Sequence, residues 1–104
     1  MAWVYLFVAA ALEIGWAVGL KYSHGFTKPL PSVLTVVAMV LSLVLLAMAV
    51  RTLPIGTSYA IWTGIGAVGT AVLGIALFSE PVTAWRVLFL LLIVGGIAGL
   101  KVTA

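Results

Sequence analysis

A single acidic residue, Glu13, lies inside the first apolar stretch of this 104-residue chain, and the next acidic residue is Glu80. At about 1.5 Å of helix rise per residue, Glu13 lies roughly 17 Å from Ala2, near the middle of a hydrocarbon layer about 30 Å thick. Inserting a charged side chain at that depth costs about 2.5–3.5 kcal/mol, and such groups usually mark ion or proton sites. We therefore predict a functional site at Glu13. The alternative is a neutral carboxyl that only packs against a neighbouring helix.

Aromatic and hydroxyl side chains that suit a carboxylate site occur in the first three apolar stretches. Trp16 lies one helical turn from Glu13, and it offers an indole N–H to the carboxylate and a ring face to a cation. Ser42 lies in the middle of the second stretch, where its hydroxyl bonds either a carboxyl on a neighbouring helix or its own i−4 carbonyl. Tyr59 and Trp62 lie one turn apart in the third stretch. For Trp16 the alternative role is packing alone.

Glycines cluster in the third and fourth stretches. Gly64 and Gly66 lower helix stability and permit bending, so we predict a hinge there, with a close packing face as the alternative. Gly95 and Gly99 form a G-x-x-x-G pair, a spacing that favours close association of membrane helices. The fourth stretch has few polar residues inside, which favours a role in holding two subunits together.

Four apolar stretches position these residues, and short breaks that contain Gly25, Pro29, Pro31 and Pro54 separate them. Thr83 is a good N-cap for the last helix. Each stretch is long enough to cross a bilayer. We interpret the first as a retained helix, because it lacks the basic start of a signal peptide. The sequence predicts an all-α membrane protein with one transmembrane domain over residues 1–104 and helices at about 2–20, 32–50, 55–78 and 83–100.

The composition excludes several classes of function. Hydrophobic residues make up 65% of the chain and charged residues 7%, so its surface suits a lipid bilayer. The five cations are scattered singly, which argues against nucleic-acid binding, and the absence of cysteine excludes disulfides and metal–thiolate sites. No nucleophile set, metal cluster or nucleotide motif is visible. We expect no enzyme activity, no catalytic residue, no metal and no cofactor.

The cations are balanced between the two membrane faces. Arg51 and Lys101 fall on the side of the N-terminus, and Lys21, Lys28 and Arg86 fall on the other side, a count of two against three. The positive-inside rule needs an imbalance to fix orientation. A chain without one inserts both ways, and two opposed copies form the inverted pair that alternating access uses. We predict an antiparallel, dual-topology homodimer.

Two motifs give the chain a family resemblance. One is Glu13-Ile14-Gly15-Trp16-Ala17 with Leu20-Lys21-Tyr22-Ser23, and the other runs from Leu53-Pro54-Ile55-Gly56-Thr57 through Ala60-Ile61-Trp62 to Gly66. Over essentially its whole length the chain resembles the small multidrug resistance family of proton-coupled exporters. Within that family it is similar to the guanidinium exporters, because Trp16 follows the glutamate where the quaternary-ammonium subtype typically has a Gly-Thr pair.

The resemblance implies a shared site in which two Glu13 carboxylates, one from each subunit, bind either protons or a cation. It implies that the fourth helix makes the main dimer contact. Ala10 departs from the glycine expected in relatives of the guanidinium subtype, which puts substrate preference in question but not the class of transport. The resemblance also implies the residues that line the site: Trp16, Ser42, Tyr59 and Trp62.

The sequence therefore predicts a proton-coupled antiporter that exports guanidinium-like cations through the bacterial inner membrane. Its expected partners are guanidinium-like cations, protons, the lipid bilayer and a second copy of the chain. The first alternative is export of quaternary ammonium or other lipophilic cationic drugs, which have no N–H and bind through aromatic faces. A non-transporting membrane subunit and a passive channel are further alternatives. Dependence on a proton gradient distinguishes the antiporter from the channel.

Overall fold

Four helices of 20 to 24 residues make up the chain in the computed structural model, which describes residues 1–104. Each helix is long and apolar enough to cross a membrane. The predicted all-α architecture with four spans is confirmed. The helices are α1 (Ala2–Tyr22), α2 (Pro29–Ala49), α3 (Ile55–Phe78) and α4 (Ala84–Thr103).

The helix ends differ from the predicted ones by a few residues. α1 continues to Tyr22 and α4 continues to Thr103. α2 begins at Pro29, in what the sequence suggested was a turn, because proline fits the first helical turn, where its missing N–H has no partner to lose. Thr83 caps α4 as predicted, since its hydroxyl oxygen accepts the N–H of Arg86 at 3.1 Å.

α1 is the central helix of the fold. It packs along both α2 and α3, whereas α2 and α3 touch each other little, and the Cα atoms fill a flat slab of 40 × 35 × 16 Å. The small side chains of Ala9 and Ala10 are fully buried and let the neighbouring helices approach. The core residues are Leu6, Ala9, Ala10, Leu46, Ala49, Ile61 and Trp62.

α4 lies at the edge of this core, which it contacts through Ile97. It packs along α3 alone, and none of its residues is buried. Gly64 lies at the contact, where an added Cβ would come within 3.0 Å of the Ile97 side chain. At the C-terminal end of α4 the ammonium of Lys101 lies 5.0 Å from the centroid of the Trp3 ring. One long face of α4 is therefore open to whatever surrounds the chain.

The turn between α3 and α4 folds back on α3. Ser79 adopts a left-handed conformation with φ of 55°, and the N–H of Glu80 then reaches the carbonyl of Gly74 at 3.3 Å. The side chain of Glu80 consequently lies against the last turns of α3, where it accepts a hydrogen bond from the guanidinium of Arg86 at 2.7 Å.

Candidate functional site

Glu13 lies on the face of α1 that packs against its neighbours. The first part of this face is buried, with Leu6, Ala9 and Ala10 at 0% exposure, and Glu13 is half-buried. Farther along, Leu20 is 37% exposed. The face therefore leaves the core at about the position of Glu13, and the carboxyl lies at the edge of the packed region.

Gly66 on α3 makes room for this carboxyl. A Cβ added at Gly66 would overlap the carboxyl group of Glu13, so the close approach of the two helices depends on the missing side chain. The Oε1 atom of Glu13 is buried and has no hydrogen-bond partner within the chain. A buried polar oxygen without a partner is costly, and it favours a proton or a cation beside it.

Ser42 joins three helices through one hydroxyl. Its Oγ donates to the carbonyl of Ala9 at 2.6 Å and accepts the indole N–H of Trp62 at 3.0 Å. This is neither of the two partners considered from the sequence, a carboxyl or the i−4 carbonyl. In an α-helix the carbonyl of Ala9 also accepts the N–H of residue i+4, which is Glu13. Ser42 and Trp62 therefore fix the backbone that carries Glu13.

The remaining predicted aromatic residues flank this hydrogen-bonded group. The ring of Tyr59 lies 5.6 Å from that of Trp62, tilted by 44°, and 55% of Tyr59 is exposed. Trp16 is half-buried, and its indole nitrogen is buried without a hydrogen-bond partner. Ser42 and Trp62 are brought together on the carbonyl of Ala9, one turn before Glu13, whereas the N–H of Trp16 remains free to bind a further acceptor.

A cavity of about 420 Å³ opens from Glu13 between α1 and α3. It runs along the small residues of α3 and ends at the turn that precedes α4. Trp16, Ser42, Tyr59 and Trp62 do not line it. Its lining residues are Glu13, Ala17, Thr63, Gly66, Ala67, Thr70, Ala71 and Glu80.

Among these lining residues the sequence singled out Glu13 and Gly66 and missed the polar residues Thr70 and Glu80. Thr70 has a buried hydroxyl without a partner, and Glu80 is the second acid of the chain. Thr63, Gly66 and Thr70 follow the helical repeat of three and four residues, which is the signal that predicts a shared polar face. Nothing comparable marks Glu80, because its position depends on how the turn folds.

The glycines singled out from the sequence have different surroundings. Gly64 faces α4 and Gly66 faces Glu13, so both lie at close helix contacts. Gly95 and Gly99 face open space, with no atom within 4 Å of an added Cβ. The chain contains no group of three or more His, Cys, Asp or Glu residues that could hold a metal ion.

Comparison with known proteins gives the family. The model of a family described as Small Multidrug Resistance protein matches residues 1–93. The chain belongs to this family. The resemblance seen in the sequence is confirmed, and membership of a transporter family implies a multi-pass membrane protein rather than an enzyme.

Several proteins similar to this chain are named guanidinium exporter. Those of Salmonella typhimurium strain LT2 and Proteus vulgaris are each 57% identical over 104 residues, which is 100% of this chain and 99% and 100% of the relatives. The relative from Citrobacter freundii is 54% identical over 103 residues, 99% of this chain and 98% of that protein.

Proposed function

We propose that this protein is a proton-coupled antiporter that exports guanidinium or small guanidinyl cations. The observation that carries the proposal is the carboxyl of Glu13, which is half-buried, has an oxygen without a partner, and opens into a cavity between two helices. The guanidinium exporters that share more than half of its residues support the choice of substrate.

The chemistry of guanidinium suits such a carboxylate. The ion is planar and carries N–H donors that match the two oxygens of a carboxylate, and charge-assisted pairs of this kind are the stronger hydrogen bonds. Aromatic faces such as those of Tyr59 and Trp62 add attraction for a cation. Trp16 lies one turn away and has a free indole N–H for the carboxylate. We assign substrate binding to Glu13, Trp16, Ser42, Tyr59 and Trp62.

Competition for one site gives the coupling. The carboxylate of Glu13 binds either a proton or the cation, because each neutralises the charge that is costly to leave unpaired away from water. After the cation dissociates on one side of the membrane, a proton from that side binds the carboxylate in its place. The protein then carries this proton to the other side. No second coupling site is needed.

A second copy in the opposite orientation completes the site. The exposed face of α4 with Gly95 and Gly99 supports a dimer contact there, and the balanced cations support insertion both ways. The inverted pair gives alternating access around the two Glu13 carboxylates in the bacterial inner membrane. We assign the hinge of this movement to Gly64 and Gly66 on α3.

Proton flux from liposomes tests the function. We expect an imposed guanidinium gradient to drive protons in the opposite direction through the reconstituted protein, as read by an internal pH dye. Glu13→Gln should abolish this flux, because an amide cannot exchange a proton. Guanidinium movement that does not depend on the proton gradient would instead identify a passive channel. Proton flux preserved in the Glu13→Gln variant would refute the role of the carboxyl.

Export of quaternary ammonium ions is the second candidate. The tilted aromatic pair of Tyr59 and Trp62, with its exposed phenol ring, favours it because such ions bind through aromatic faces alone. The same liposomes challenged with a tetraalkylammonium ion separate the two candidates. Flux with guanidinium and none with the tetraalkylammonium ion would exclude the second.

A further inference from the structure

Glu80 lies at the far end of the cavity that begins at Glu13. The same cavity is lined by both acids, and a smaller cavity of about 190 Å³ next to it is lined by Glu80, Lys21 and Thr70. The two carboxylates are therefore connected by a continuous lining of small and hydroxyl residues on α3. The acid at the outer end is accessible to solvent, since 43% of its side chain is exposed.

The fold holds the Glu80 carboxylate in a defined place. The left-handed conformation of Ser79 turns the chain back, and Gly74 gives the carboxylate a place against α3. A Cβ at Gly74 would come within 2.6 Å of Glu80 Oε1. Gly74 itself is buried by this arrangement. A surface acid that extends freely into solvent does not require such a glycine. Gly74 lies one turn before the end of α3 and leaves space for the Glu80 carboxylate.

Thr70 connects this place to Glu13. It lies one turn from Gly66, which faces Glu13, and one turn from Gly74, which faces Glu80. Its Oγ is buried and has no hydrogen-bond partner, although the residue lines both cavities. A hydroxyl in this position accepts an N–H from a cation that moves between the two carboxylates.

The present partner of Glu80 has the same chemistry as the proposed substrate. Arg86 ends in a guanidinium, and its Nη2 lies 2.7 Å from Glu80 Oε1. With 34% of the Arg86 side chain exposed, the pair is not locked in a core, and exposed ion pairs are easily exchanged. A free guanidinium ion that replaces the Arg86 group leaves the carboxylate paired throughout.

We propose that Glu80 is an outer binding station, where a guanidinium substrate displaces the side chain of Arg86 before it passes Thr70 and reaches Glu13. Arg86 acts as a built-in competitor that occupies the carboxylate when no substrate is present. This inference rests on the proposed guanidinium transport and deepens it. It assigns the second acid of the chain a role in substrate capture.

Opposite changes in KM test the proposal. In liposomes with guanidinium as substrate, Glu80→Gln should raise the KM about fivefold, because the station loses its charge. Arg86→Gln should lower the KM about threefold, because the competitor is gone. Arg86→Lys keeps the charge but loses the planar fork that pairs with a carboxylate, so its KM should also fall, by about twofold. Arg51→Gln, at the other end of the helices, is the matched control for loss of a cation and should leave the KM unchanged.

The outcomes separate this proposal from a purely structural ion pair. If the pair is purely structural, Glu80→Gln and Arg86→Gln should impair transport alike. That result would refute the binding role of Glu80, and so would an unchanged KM in Glu80→Gln. A wild-type KM in Arg86→Lys would show that only net charge matters. It would refute the proposal that the substrate displaces the Arg86 guanidinium from Glu80. Size-exclusion profiles in detergent confirm that each variant is folded. Absence of guanidinium transport by the unmodified protein would count against the proposed function instead.

Discussion

Gly66→Ala should move the carboxyl on which the proposed function depends while leaving the helices folded. The new Cβ would lie 2.9 Å from Glu13 Cγ and closer still to the carboxyl carbon and oxygen. Restoring a separation of about 3.5 Å between nonbonded atoms requires the carboxyl to shift by about 1 to 1.5 Å. The Glu13 side chain is flexible and half-buried, so it gives way before the backbone does.

The expected cost falls on binding rather than on folding. Alanine is favoured over glycine inside a helix by about 0.5–1 kcal/mol, which offsets part of the overpacking in α3. A displacement of about 1 Å at a reacting group costs up to about a hundredfold in rate. We expect kcat/KM for guanidinium to fall by about tenfold to a hundredfold, with most of the loss in the Kd of the cation.

Gly56→Ala is the matched control for this variant. Gly56 lies on the same helix, and an added Cβ there meets no atom within 4 Å. Both variants replace a glycine of α3 by alanine, and only Gly66→Ala adds a contact with Glu13, so a difference in transport between them reports that contact. The assay is guanidinium-driven proton flux in liposomes, together with equilibrium binding of guanidinium in detergent.

Two results would refute this reasoning in different ways. If Gly66→Ala and Gly56→Ala transport equally well, the contact between Gly66 and Glu13 has no functional consequence. If Gly66→Ala binds guanidinium normally but turns over slowly, the glycine serves as a hinge rather than as space for the carboxyl.

The other predictions concern the hydrogen-bonded group and the dimer. Ser42→Ala should weaken guanidinium binding by about tenfold while the protein still elutes as folded material, because the buried indole N–H of Trp62 loses its acceptor at a cost of about 1–3 kcal/mol; unchanged affinity would show that this hydroxyl does not position the site. Trp16→Ala should likewise weaken binding without unfolding the protein, and a wild-type Kd by titration would reduce Trp16 to a packing residue. Gly95→Leu should abolish dimers in crosslinking experiments, because the G-x-x-x-G face loses close approach; intact dimers would place the contact elsewhere.

The sequence predicted the helices well because their signals are local. Apolar length defined all four spans. Thr83 was recognised as a cap from its residue type and position. The start of α2 was misplaced because Pro29 fits either a turn or a first helical turn, and packing decides between the two.

The parts of the site that depend on tertiary geometry could not be predicted. The choice of Ala9 as the acceptor for Ser42 depends on how α1 crosses α2, and periodicity carries no information about that crossing. The approach of Glu80 to the cavity depends on the left-handed backbone conformation of one residue in the turn, Ser79. A polar serine gives no strong signal for that conformation, since glycine and asparagine are the usual residues there.

The contact between Lys101 and Trp3 brings the two ends of the chain to one end of the helices. This limits how two copies can be genetically joined. A short polar linker from the end of one copy to the start of the next keeps both in the same orientation, because neither junction crosses the membrane. An opposed pair in one polypeptide needs an additional apolar helix of about 20 residues as its linker. Tandem genes built with the two kinds of linker would therefore produce parallel and antiparallel pairs of otherwise identical subunits.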